Sequence, residues 1–198
     1  MKTLRLALIL LIPVWLSGCG AGIMVKAASP VVKPPQNNKA TVVFMRTSFV
    51  AGAIGVQMVD TTNGELKFIG DLSMGNKIAY ETTPGDKVFM AYGLAADFMK
   101  AKLSAGKTYY VIVRPNWGTG GFAPTPIRHG GGEYGMDGAD FNSWVSDTDL
   151  VQPGPETSSW FAANKTNLKK VYDQYWPKFQ TKTPAEIQER TMNPEDGV

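Results

Sequence analysis

The chain has 198 residues, 43% of them hydrophobic, with 20 Lys and Arg against 17 Asp and Glu for a formal net charge of +3. One cysteine excludes an internal disulfide, and one histidine forces any catalytic triad or histidine-metal site through His129. The basic residues form no stripe, which leaves nucleic-acid binding without its electrostatic footprint.

Met1, Lys2 and Arg5 make a short positive start, followed by an apolar run from Leu6 to Leu16 that Pro13 interrupts. The run falls far short of the roughly 20 apolar residues a bilayer span needs. Charge, a short apolar core and then small residues predict a secretory signal over residues 1–18. Leu16-Ser17-Gly18-Cys19 resembles the bacterial lipobox, in which a diacylglycerol is attached to the cysteine sulfur and cleavage precedes that cysteine. The resemblance implies that Cys19 is lipidated and holds the protein to a membrane. Two or more acyl chains, at about 0.8 kcal/mol per buried methylene, anchor firmly where one does not. By similarity to lipoprotein sorting in Gram-negative bacteria, Gly20 in place of aspartate implies the outer membrane, with the body expected on its periplasmic side. Lys2 and Arg5 leave with such a leader, so eighteen basic residues then face seventeen acids and the pI of 8.9 loses its weight.

After Cys19, residues 20–39 show no sustained period and carry Pro30, Pro34 and Pro35. They read as a tether over 19–39, spanning roughly 25 Å if flexible and about 60 Å if extended.

A β-rich domain is expected over 40–155. "TVVFMR" (Thr41 to Arg46) is apolar on both faces, as a central, well-covered strand would be. Ile54, Val56 and Met58 alternate with Gly55 and Gln57, and Asn63-Gly64 marks a turn before Leu66 and Phe68. Ile78 and Tyr80 alternate with Lys77 and Glu81, the chain turns at Thr83-Pro84-Gly85-Asp86, and Val88, Met90 and Tyr92 return. This predicts a second hairpin. A third pair runs from Phe98 to Leu103, turns at Ser104-Ala105-Gly106 and returns as "KTYYVIVRP". The spacing predicts a small antiparallel β-sandwich or a partly open barrel.

Residues 115–140 hold eight glycines and break this rhythm. They read either as a surface loop or irregular hairpin across one end, or as a recognition loop. In the second case Trp117, Phe122 and Tyr134 are the partner-binding anchors. "WVSDTDLV" (Trp144 to Val151) allows one more strand. A C-terminal helical segment and tail follow over 156–198. Phe161, Leu168, Tyr172, Tyr175 and Phe179 recur at helical spacing, which predicts a helix from about Ser158 packed on the sandwich. It should end or kink at Trp176-Pro177. Thr183-Pro184-Ala185-Glu186 predicts a capping box on a further short helix, and "NPEDGV" a loose tail.

"TVVFMR", "IAYETTPGDKVFMA" and "LSAGKTYYVIVRP" resemble segments of the bacterial lipoproteins grouped as domain of unknown function 2846 (DUF2846). The likeness covers roughly Ala40 to Pro115. It implies a compact β-domain on a lipid anchor and brings no catalytic residues with it.

The motifs that could carry chemistry are incomplete. "HGGG" (His129 to Gly132) resembles the oxyanion-hole loop of some esterases, but a G-x-S-x-G elbow is absent. Ser104 to Lys107 has S-x-x-K spacing on a hairpin turn rather than on a helix start. Asp137, Asp140, Asp147 and Asp149 lack calcium-loop spacing and read as solvated carboxylates. Gly118-Thr119-Gly120-Gly121 has no following lysine for a phosphate cradle. Neither a metal nor a cofactor is expected. The sequence supports a lipid-anchored, non-catalytic binding or scaffolding module with an envelope protein partner. The alternative is an envelope hydrolase using His129 with nearby acids.

Overall fold

A computed structural model describes residues 22–198; the expected leader and Cys19 lie outside the described residues. Eleven strands run in chain order among them. They are β1 (Met24–Lys26), β2 (Ala40–Arg46), β3 (Val56–Asp60), β4 (Lys67–Leu72), β5 (Asn76–Thr82) and β6 (Gly85–Tyr92). Then come β7 (Ala96–Leu103), β8 (Thr108–Asn116), β9 (Gly121–Ile127), β10 (Asp149–Pro153) and β11 (Thr191–Met192). Three α-helices accompany them: α1 (Ala139–Ser146), α2 (Thr157–Gln180) and α3 (Pro184–Glu189).

The strands form a six-stranded sheet, β1-β10-β5-β2-β8-β9, and a five-stranded sheet, β11-β7-β6-β3-β4. The sheets stack as a sandwich and do not close into a barrel. β2 sits inside the larger sheet and explains its two apolar faces. Val42 and Phe44 point into the core between the sheets, while Val43 and Met45 point to the outer face. Most pairings are antiparallel, but β2 with β8, β5 with β10 and β7 with β11 are parallel.

Two expected hairpins are corrected by this topology. β5 belongs to the six-stranded sheet and β6 to the other, so the Thr83–Asp86 turn carries the chain between sheets. The Ser104–Lys107 turn does the same between β7 and β8. Turn residues dictate that the chain reverses. They do not dictate whether the returning strand pairs with its neighbour or with the opposite layer.

Each sheet has a covered outer face. On the five-stranded sheet lies α2, whose Leu168, Val171 and Phe179 bury against Val59, Met90 and Phe98. The expected stripe is therefore packing. Trp176 and Phe179 lie 5.1 and 5.6 Å from Phe98 between ring centres, and Trp160 lies 4.8 Å from Phe68. The helix passes through Pro177 to Gln180 instead of stopping there. Proline in the last turn removes one backbone bond, and burial of Phe179 beyond it offsets that loss.

The outer face of the six-stranded sheet is covered by the segment after β9 and by α1. Phe141, Trp144 and Val145 pack over Val43, Met45 and Ile112. Thus Trp144 to Val151 is helix first and strand only from Asp149. The buried Lys77 ammonium decides this by donating to the Val145 and Thr148 carbonyls at 2.6 and 2.7 Å, at the helix C-terminus.

Both termini of the described chain are tied down. The expected tether contains β1, paired antiparallel with β10, and the Ile23 carbonyl accepts bonds from the Gly154 amide and the Thr157 hydroxyl. At the other end, Thr108 and Val198 exchange two backbone bonds, Lys107 donates to the Gly197 carbonyl, and Asp196 is buried. "NPEDGV" is a fixed segment, not a loose tail.

Candidate functional site: the apolar loop tips

β2 ends at Arg46, opposite the first residue of its antiparallel partner β5, Asn76. β8 runs parallel to β2, so its end at Asn116 and the start of β9 at Gly121 lie at this same end. In the second sheet Val56 is opposite Leu72, Tyr92 opposite Gln57, and Ala96 opposite Tyr92. Loops 47–55, 73–75, 93–95 and 117–120 therefore share one end of the sandwich.

That end carries Phe49 (85% exposed), Val50, Met74, Leu94 (63%) and Trp117 (80%). These are five of the seven large hydrophobic side chains that stand exposed among the described residues. Single exposed hydrophobics are ordinary on a protein surface, whereas a set gathered at one end marks an interaction surface.

The tips are held by a rigid base. Arg46 is fully buried and its guanidinium donates to the carbonyls of Ile54, Leu72 (3.1 Å), Val50 (3.3 Å) and Ala51 (2.9 Å), pinning the loop that presents Phe49. Burial lowers the Arg46 pKa against the opposing charge of Asp71. The same burial raises Asp71, against its hydrogen bond from Gln57 and the Arg46 charge. A Cβ at Gly121 would meet the Ala95 carbonyl oxygen at 2.5 Å, so glycine lets the hairpins carrying Trp117 and Leu94 close on one another.

The three aromatic residues expected as anchors part company here. Trp117 is exposed at the tip. Phe122 is core, with the Arg46 guanidinium carbon 4.4 Å from its ring centre, and is not available to a partner. Tyr134 is half-buried, stacked on Trp144 at 6.2 Å and under the Arg114 guanidinium at 4.9 Å. Nor is 115–140 a single loop, since β9 is seven consecutive buried residues paired with β8. Its alternating Phe122, Pro124 and Pro126 with small residues suited an edge strand, where proline lacks no ladder bond.

His129 is exposed on the turn after β9, and no hydrogen bond or ion pair joins it to an acid among the described residues. The nearby Asp196 carboxyl is pushed up by burial, against the Asn193 amide and the Arg128 and His129 charges. Its own partners are the Asn193 amide at 2.6 Å and Arg128 at 3.7 Å. Two amides of the HGGG turn are already spent, Gly130 on Asp137 and Gly131 on the Arg128 carbonyl. Asp147 accepts from Ser146, Asp149 pairs with Lys26, and Asp140 sits in the first turn of α1. Lys107 serves the C-terminal tail rather than Ser104, whose amide donates to the Tyr109 hydroxyl.

The sequence reading missed Phe49, Leu94 and Arg46. Arg46 did leave a signal, because it follows Val42 and Phe44 at the parity that faces the core. Phe49 and Leu94 left none beyond being apolar in turns. Compared with known proteins, the chain matches no family model, no curated protein and no solved structure.

Proposed function

We propose that the protein is a lipid-anchored, non-catalytic cell-envelope module that binds or scaffolds a partner protein through the loop tips around Trp117. The observation that carries this reading is the gathering of Phe49, Val50, Met74, Leu94 and Trp117 at one end of the sandwich. Aromatic and large aliphatic tips on a rigid frame are what anchor residues of an interface require.

The anchor geometry supports a protein rather than the anchoring bilayer as the occupant. Only three residue steps separate Cys19 from Gly22, at most roughly 11 Å of chain. The body begins at Ile23, so a lipid on Cys19 holds β1 close to the membrane. β1 runs from Met24, opposite Pro153, to Lys26, opposite Val151, and β10 runs from the tip end. Chain direction thus leads from the anchor toward the tips, which face away from Gly22.

The test is photo-crosslinking in living cells from positions 49, 94 and 117, with Cys19 intact. One discrete adduct from more than one tip, lost in a Trp117→Ala/Phe49→Ser variant of unchanged stability, is the expected result. Silence at all three positions overturns the reading. A Cys19→Ala variant should leave the membrane fraction. His129→Ala should leave cellular function intact, and its loss would restore the hydrolase.

A further inference from the structure

Away from the tips, three arginines converge on one cavity of about 250 Å³. Arg114 comes from β8, Arg128 from the end of β9 and Arg190 from just after α3. Thr125, Pro126, Gly131, Tyr134 and Glu189 complete the walls.

Their donors are only partly used. Arg114 Nε donates to Thr125 Oγ1 at 3.0 Å, and Arg128 Nη2 donates to the Gln188 carbonyl at 2.6 Å and to that of Thr191. Arg190 is 7% exposed, with Nε 3.5 Å from Asp97 Oδ2, yet neither Nε nor Nη1 finds a hydrogen-bond acceptor among the described residues. Arg128 Nε is in the same condition. These nitrogens are sealed from solvent, so they hold charge beside the cavity, and the donors open to it are those of Arg114 and Arg128 that reach its surface.

Two of the three arginines face a carboxylate. Asp97 and Asp196 face Arg190 and Arg128, while Arg114 has only the Thr125 hydroxyl and the face of Tyr134. Glu189 is the one carboxylate in the wall, and it is exposed. Among the lining residues three guanidiniums stand against one carboxylate, and they are planar forks suited to bind paired oxygens.

We infer that this cavity, bounded by Arg114, Arg128 and Arg190, binds a small oxyanion group, a carboxylate or a phosphate. Its volume lies below that of a drug-sized pocket, so the group is a ligand's charged end rather than a whole cofactor. Arg128, whose side chain is partly exposed, supplies the inner contact. Arg114, half-exposed and stacked on Tyr134, supplies the contact that the ligand meets first. The inference stands on a different surface from the loop tips and does not rest on them.

Titration calorimetry of the purified protein with inorganic phosphate, and separately with acetate and succinate, tests it. Saturable binding of at least one anion is expected, weakened about tenfold or more by Arg114→Gln, as loss of a charge-assisted hydrogen bond implies. Arg114 is not buried, so that variant keeps the fold; Arg190→Gln is the stronger but riskier companion, and its melting curve is read alongside. Phosphate binding alone points to a phosphorylated ligand, and carboxylate binding alone to an acidic small molecule or a chain terminus. Absence of saturable binding by all three anions overturns the inference, as does binding that Arg114→Gln leaves unchanged.

Discussion

The two outer faces of the sandwich are both covered, but by different physics. α2 seals the five-stranded sheet with rings: Trp160, Phe161, Tyr172, Trp176 and Phe179 against Phe68 and Phe98. Across the molecule, α1 and the glycine-rich segment lie on the six-stranded sheet. α1 is fixed there by the single charged side chain of Lys77 as well as by apolar contact, and Arg128 ties the end of β9 to the carbonyls of Gln188 and Thr191. The aromatic cover is spread over many contacts and leaves no buried side-chain polar atom without a partner among the described residues. The charged cover concentrates its hold in a few donors and leaves room for a cavity. One face is built to be stable, and the other keeps arginines whose donors a ligand can use.

The sharpest way to break this contrast is to cut the aromatic cover. Phe179→Ala should destabilise the protein by roughly 3–5 kcal/mol, measured by urea unfolding, because it empties a fully buried site between α2 and Phe98. A loss under about 1 kcal/mol would mean that α2 is not part of the core.

Lys77→Met comes next. It strands the Val145 and Thr148 carbonyls, with an expected loss of roughly 2–3 kcal/mol. Hydrogen exchange should accelerate over 139–148 and stay unchanged over α2. Uniform acceleration would show that the two covers are not independent.

A smaller effect, about 1 kcal/mol, is expected for Thr183→Ala. Thr183 accepts from the Glu186 amide at 3.3 Å, and Glu186 accepts from the Thr183 amide at 2.8 Å. Because α3 leads directly into Arg190, anion binding should weaken with this loss, whereas crosslinking from Trp117 should not change.

The smallest effect lies in the core between the two faces. Burial first, and then the charge and hydrogen bond of Asp60 at 3.0 Å, raise the Tyr80 phenol to about 12. A folded-state pKa above the ordinary value of 10 favours the neutral phenol in the fold. Its contribution is therefore whole below pH 10 and is lost as pH rises toward 12. Tyr80→Phe should remove that late step from an alkaline absorbance titration and flatten the fall in stability over the same window.

How much of this was legible follows from the same contrast. The α2 stripe could be read because a helix on a sheet imposes a spacing of three and four, and the residues that meet it are apolar. β2 could be read because both of its faces are covered. α1 could not, since eight residues docked by Lys77 from sixty-two or more positions upstream carry no period long enough to register. The candidate site was half legible: Trp117 stood out as an aromatic among glycines, but nothing local distinguished its exposure from the burial of Phe122 five residues on.

Alone, the sequence determined the β-rich class, most of the strands from β2 to β8, the aromatic helix and the Thr183 cap, all of which depend on neighbours a few residues apart. Tertiary structure alone decided which turns cross between sheets, and that Phe49, Leu94 and Trp117 share an end. It also decided that residues 114, 128 and 190 surround one cavity. Those are distances between segments remote in the chain, set by how the sheets stack, and no local preference records them.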